Sequence, residues 1–117
     1  MQPFVMFESG DVDRPSLKNF GEGPALHISV QFDDFKIHQR ASPEHLFPKE
    51  DAKLTASRCA PDGKSIAGIV TIRYTDPSRR KHSIRQEFTH DRTQEGRSRW
   101  TFKFVERLET LGAEGLI

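Results

Sequence analysis

The sequence predicts an all-β domain, with about seven short antiparallel strands closing into a sandwich or barrel. Three observations carry that expectation. Apolar residues recur with period two, most clearly where Leu26, Ile28, Val30 and Phe32 alternate with His27, Ser29 and Gln31, as side chains do on the two faces of a strand. Clusters of Gly, Pro, Asp and Ser interrupt these runs at intervals of roughly 8–15 residues. No stretch of useful length before residue 106 repeats with the period of a helix.

Taken in order, Phe4 to Glu8 is an apolar run suited to a first, edge-type strand, and the polar stretch from Ser9 to Pro15 is a loop. Leu17 to Phe32 follows as a bent strand pair or one bulged strand. Asn19 to Pro24 holds two glycines and a proline, so Gly21 or Gly23 is expected at a bulge or a positive φ. Phe35 to His38 reads as a brief strand. Residues 40–52 contain Pro43 and Pro48, which argue against a central strand or a long helix. They are expected to form a crossing loop whose Leu46 and Phe47 reach the core. Lys53 to Cys59 is a moderate strand, and Pro61 to Lys64 a turn. Three strands close the domain: Ile69 to Thr75, His82 to His90 and Arg99 to Val105. The expected core is Leu26, Ile28, Val30, Val70, Ile72, Tyr74, Phe88, Trp100, Phe102 and Phe104. Residues 1–105 make one β-sandwich domain, and residues 106–117 a tail that adds a helical turn or serves as a linker.

Composition bounds the function classes. At 117 residues the chain fits one domain, and 30% charged against 34% hydrophobic residues describes a water-facing protein with a compact core. The net charge of +1 selects no acidic partner in bulk. Cys59 is the only cysteine, which excludes an intramolecular disulfide and any multi-cysteine metal site. Neither a signal-peptide pattern nor a membrane-length apolar run is visible. The expected setting is cytoplasmic, or the soluble part of a longer anchored protein.

Leu17-Lys18-Asn19-Phe20-Gly21-Glu22-Gly23-Pro24-Ala25, leading into an alternating strand, resembles the opening of bacterial immunoglobulin-like β-sandwich domains, both adhesion-related and uncharacterised. A later strand ending in Tyr74-Thr75-Asp76 is similar to theirs, and the resemblance spans residues 15–90. It implies an immunoglobulin-like antiparallel β-sandwich serving as a binding or spacer module. The Arg-rich final hairpin departs from that pattern.

Site chemistry is sparse. His27, His38, His45, His82 and His90 show no paired i, i+2 spacing that would converge on a metal, so they read as structural or solvent-facing. Cys59 has no adjacent base, and Gly21-Glu22-Gly23 leads into a strand rather than the helix N-terminus of a phosphate loop. Asp33-Asp34 and Glu50-Asp51 read as solvated turns. No catalytic residue, cofactor or metal is expected. The leading expectation is a non-catalytic module that binds another protein through loops or an exposed edge strand. The alternative is nucleic-acid or polyanion binding, because Arg79 to Lys103 carries eight basic side chains against three acidic ones. Its candidate residues are Arg73, Arg79, Arg80, Lys81, Arg85, Arg97, Arg99 and Lys103. The competing reading of that face is an ordinary salt-bridged surface, with Glu87, Asp91 and Glu95 as partners.

Overall fold

The computed structural model describes residues 2–10, 14–32, 45–53 and 63–111. Seven strands run in the order β1 (Val5–Glu8), β2 (Ser16–Asn19), β3 (Leu26–Phe32), β4 (Asp51–Lys53), β5 (Ser65–Thr75), β6 (Arg80–Arg92) and β7 (Ser98–Leu111). They form two antiparallel sheets, β1-β2-β4 and β3-β5-β6-β7, and the described residues contain no helix. The expected strand at Phe35 to His38, and most of that from Lys53 to Cys59, lie outside the described residues, as do Cys59 and His38.

The stretch from Leu17 to Phe32 resolves into two strands belonging to different sheets, so Asn19 to Pro24 carries the chain across the sandwich rather than kinking one strand. Asn19 organises this crossing. Its buried Oδ1 accepts from the amides of Phe4 (3.1 Å) and Gly21 (2.9 Å). Its Nδ2 donates to the carbonyls of Gly23 (2.9 Å) and Leu46 (3.0 Å). The expected glycine bulge is corrected here. Neither Gly21 nor Gly23 has a positive φ, and the register shift falls between Leu26 and Ser29, with His27 at φ 51°. Gly21 is needed for a different reason: a Cβ there would lie 2.3 Å from the Gln2 carbonyl oxygen.

The two sheets close on an apolar core. From β5 and β6 come Ile66, Val70, Ile72, Tyr74, Ile84 and Phe88, from β7 Trp100, and from the opposing sheet Val5, Phe7 and Leu17. Phe7 stacks on Phe102 (4.8 Å between centroids), and Phe32 meets Phe88 edge-on at 5.1 Å. Each such ring pair contributes ~0.5–1.5 kcal/mol beyond its burial. Of the expected core, Ile28, Val70, Ile72, Tyr74, Phe88 and Trp100 are buried, and Val30 and Phe102 pack against it part-buried. Leu26 is half-buried. Phe104 is corrected, being 46% exposed: it precedes a bulge in β7, and Phe4 is its ring partner at 6.1 Å. Phe47 is likewise 57% exposed, whereas Leu46 is buried and bridges Ala25.

Polar groups tie β1 across the core. Gln86 accepts from the Phe7 amide (2.9 Å) and donates back to its carbonyl (3.3 Å), while the Val5 amide donates to the Tyr74 hydroxyl (3.4 Å). The chain then joins the sheets directly, Gly10 and Trp100 exchanging backbone hydrogen bonds at 2.9 Å. The tail expectation is also corrected, because β7 continues through Leu111 instead of ending at Val105.

Candidate functional site

One inserted residue sets the chemistry of this end of the sheet. In the β6–β7 ladder Gln86 faces Phe104 and Arg85 faces Glu106, leaving Val105 as a bulge. Before it, Trp100 and Phe102 point inward. After it the phase is reversed, so Arg107 and Glu109 share the inner face with His82 and Ile84, and Glu106 and Leu108 turn outward. The inner face therefore ends in a polar cluster. His82 Nε2 lies 2.9 Å from Asp76 Oδ2, both groups buried. Arg107 Nη2 stands 3.4 Å from His82 Nδ1; a guanidinium only donates, so Nδ1 accepts and Nε2–H faces the carboxylate. Arg80 holds Glu109 at 3.1 Å, Gln2 accepts from Arg107 at 2.8 Å, and Tyr74 stacks on His82.

Burial pushes the Asp76 carboxyl up, but hydrogen bonds from the His82 ring and the Arg80 amide outweigh it and hold the group below the ordinary carboxylate value. Burial raises the Tyr74 phenol, which stays protonated and donates to the Pro3 carbonyl (3.3 Å). Asp76, His82 and Glu109 offer ligand-type atoms within 4.8 Å of one another. The ring and both carboxylates are already engaged by one another and by two guanidiniums, so the arrangement works as a hydrogen-bond network with one ion pair, Arg80–Glu109, tying both hairpin arms together. Sequence inspection passed over this cluster. Its one signal was a histidine six residues after an aspartate across a turn.

The other described histidines lie apart from this cluster. His90 stacks on Trp100 at 4.1 Å in the interior, while exposed His27 and His45 meet edge-on at 5.5 Å.

The eight candidate cations do not converge. Arg79, Arg80 and Lys81 sit at the β5–β6 turn, and Arg97 and Arg99 at the far β6–β7 turn. The thirteen residues of β6 separate the groups by ~40 Å at about 3.3 Å per residue. Half of them face acids. Arg85 pairs with Glu106 at 2.8 Å and Arg80 with Glu109, while Lys103 stands opposite Glu87 and Arg99 opposite Asp91. Arg73 differs. Its guanidinium reaches the Gln31 side chain at 3.3 Å, and neither it nor Lys81 has an acidic partner among the described residues.

The outer edge of β7 is the second surface feature. Trp100 and Phe102 turn their outward backbone groups to Gly10 and Ser9. Beyond Phe102, no backbone group of the described residues pairs with this edge. Phe104, Val105 (43% exposed) and Leu108 (54%) lie along it, three of the five large apolar side chains most exposed among the described residues.

No protein-family model matches the chain, and no curated protein or solved structure matches it significantly. Among the described residues, no helix is long and apolar enough to cross a membrane.

Proposed function

We propose that this domain is an immunoglobulin-like β-sandwich acting as a non-catalytic protein-interaction module, and that its partner adds a strand to the outer edge of β7. The fold reading is supported by strand adjacency. β1-β2-β4 and β3-β5-β6 follow the A-B-E and C-F-G neighbours of the immunoglobulin sandwich, with β7 appended beyond G. The inter-sheet disulfide of antibody domains is missing, since the chain has one cysteine.

One observation carries the interaction reading: the second half of β7 combines outward backbone groups that no described residue pairs with and the exposed side chains of Phe104, Val105 and Leu108. The other edges are shorter or already engaged. β1 is capped by Tyr74 and Gln86, β3 is flanked by the Ala25–Leu46 bridge, and the described part of β4 has three residues. A strand laid on β7 gains main-chain hydrogen bonds, and alternate side chains meet Leu108 outside and Phe104 inside.

The test is affinity capture from the source-cell extract with the wild type, Leu108→Lys, Val105→Lys and Lys53→Ala, a control on the other sheet, followed by hydrogen exchange on the purified complex. The partner is expected to be lost with the two β7 variants and kept with the control, and the Arg107 and Glu109 amides to become protected. A partner indifferent to both β7 substitutions, or protection confined to other strands, removes the proposal. The alternative of polyanion binding along Arg79 to Lys103 has weaker support, because its cations are spread over two ends and half of them face acids. It requires oligonucleotide affinity that falls steeply with salt.

A further inference from the structure

We infer that the outer face of the four-stranded sheet holds a binding site for a small organic carboxylate, centred on Arg73 and Lys81. This goes beyond the β7-edge reading and does not depend on it. Ladder pairing places Ser29, Arg73, Ser83 and Leu108 in one row across all four strands, and Thr75 beside Lys81 in the next. Short hydroxyl side chains thus flank the long guanidinium, and the space they leave is a cleft of about 330 Å³. That lies at the small end of the range for ligand sites, ~300–1,000 Å³. The buried residues Tyr74 and His82 contribute to its floor, and His27, at the bulge, to its β3 side.

Charge selects the ligand. None of the residues lining the cleft is an acid. Elsewhere on this face Arg85 has Glu106, Lys103 faces Glu87 and Arg99 faces Asp91, so the carboxylates are spent on other cations. The backbones of Arg73 and Lys81, diagonal neighbours on adjacent strands, lie ~7–8 Å apart, so the Arg73 guanidinium can swing from Gln31 on the other diagonal and share one anion with Lys81. The planar fork of Arg73 suits a carboxylate bidentately, and Ser29 and Ser83 can donate to its second lone pairs. Leu108 and the aliphatic stems of Arg73 and Lys81 give the wall an apolar character, which favours a carboxylate with a short hydrocarbon body over a bare inorganic anion.

The experiment is an amide chemical-shift titration of the full chain with butyrate, with inorganic phosphate and butylamine as comparators. A short peptide with a free C-terminus, run against its amidated form, separates a free acid from a chain terminus as the source of the carboxylate. Butyrate is expected to give saturable shifts at Ser29, Arg73, Thr75, Lys81 and Ser83, with phosphate weaker and butylamine silent. Arg73→Gln and Lys81→Gln should each weaken binding about tenfold or more, as the loss of a charge-assisted bond does. Arg97→Gln, an exposed cation at the opposite end, should leave it unchanged. Both test positions are on the solvent face, and an unchanged spectrum away from the cleft confirms that the variants fold. The inference is overturned by shifts that do not saturate by ~50 mM, by equal affinity in Arg73→Gln, or by shifts centred on the Arg97 loop.

Discussion

Asn19→Ala tests whether one buried amide holds the crossing between the sheets. The wild-type side chain makes four hydrogen bonds. Truncation leaves the buried Gly23 carbonyl unpaired, at a cost of ~1–3 kcal/mol, and takes one of two donors from the Leu46 carbonyl, which keeps the Ala25 amide at 2.8 Å and so loses about 0.5–1.5 kcal/mol. The Phe4 and Gly21 amides are only part-buried, and each lost bond there is worth about 0.5–1.5 kcal/mol. Water entering the vacated space recovers some of this, which puts the expected loss at ~3–5 kcal/mol, a large fraction of the ~5–15 kcal/mol a domain has in hand. In a thermal melt followed by circular dichroism that is a fall of at least ~12 °C. Asn19→Asp keeps an oxygen to accept from the Phe4 and Gly21 amides but turns its other oxygen toward two carbonyls. It should be at least as unstable as the alanine variant at neutral pH and recover partly in acid, where a protonated carboxyl regains one donor. Lys18→Ala on the same strand, whose ammonium makes only a 3.9 Å ion pair with Glu8 and a cation–π contact with Phe20, should change little. A loss below about 1 kcal/mol for Asn19→Ala would refute the reasoning, since it requires at least one buried carbonyl to go unpaired.

Two further outcomes follow from backbone strain and from titration. Arg79 holds φ at 67° in the β5–β6 turn, and its side chain makes no hydrogen bond or ion pair with the described residues, so Arg79→Gly should stabilise the fold by about 0.5–1 kcal/mol, read as a higher denaturant midpoint. A loss of stability there would mean that the guanidinium contributes through a contact. Asp76 has its carboxyl lowered in the folded state, so its contribution is present above the ordinary carboxylate value of 3.8 and is lost as pH falls through that value to the folded one. The stability gap between wild type and Asp76→Asn should therefore be widest near neutrality and close in acid. A gap independent of pH would remove the charged carboxylate from the account.

Strand existence was legible because alternation is a direct imprint of the pleat. Leu26 to Phe32, Ile69 to Thr75 and Arg99 to Phe102 read correctly for that reason. The end of β7 was illegible for the complementary reason. From Glu106 to Leu111 its inner face is built of Arg107 and Glu109, so no apolar period marks it. The glycines near residue 21 pointed to special backbone, but sequence does not distinguish a positive φ from a close approach, and Gly21 is the second kind. Of the candidate cations, residue type gave the inventory and only the ladder register gave the grouping. Arg73 and Lys81 emerge because Ser29, Thr75 and Ser83 fall beside them, whereas Arg85, Arg99 and Lys103 fall opposite acids.

The bulge at Val105 accounts for several of these features together, and it makes an unusual deletion informative. Removing one residue from a strand normally throws every later side chain onto the opposite face. Here Val105 is the residue without a partner, so its deletion leaves Phe104 opposite Gln86 and Glu106 opposite Arg85, with Arg107 and Glu109 still beside His82. The variant lacking Val105 should fold with its Asp76–His82 contact intact and lose no more than ~1–2 kcal/mol, while a variant lacking Thr101, which faces Thr89 in the regular ladder, should fail to fold. The two should differ in solution behaviour as well. A bulge twists an edge and hinders its pairing with another chain, so the straightened β7 should self-associate more readily, with Lys103, Glu106 and Arg107 as its remaining protection. Sedimentation across a concentration series measures this. If the Val105 deletion unfolds the protein as the Thr101 deletion does, the phase reversal is not what places Arg107 and Glu109 inside, and the origin of the polar cluster has to be sought in the turn at Asp76.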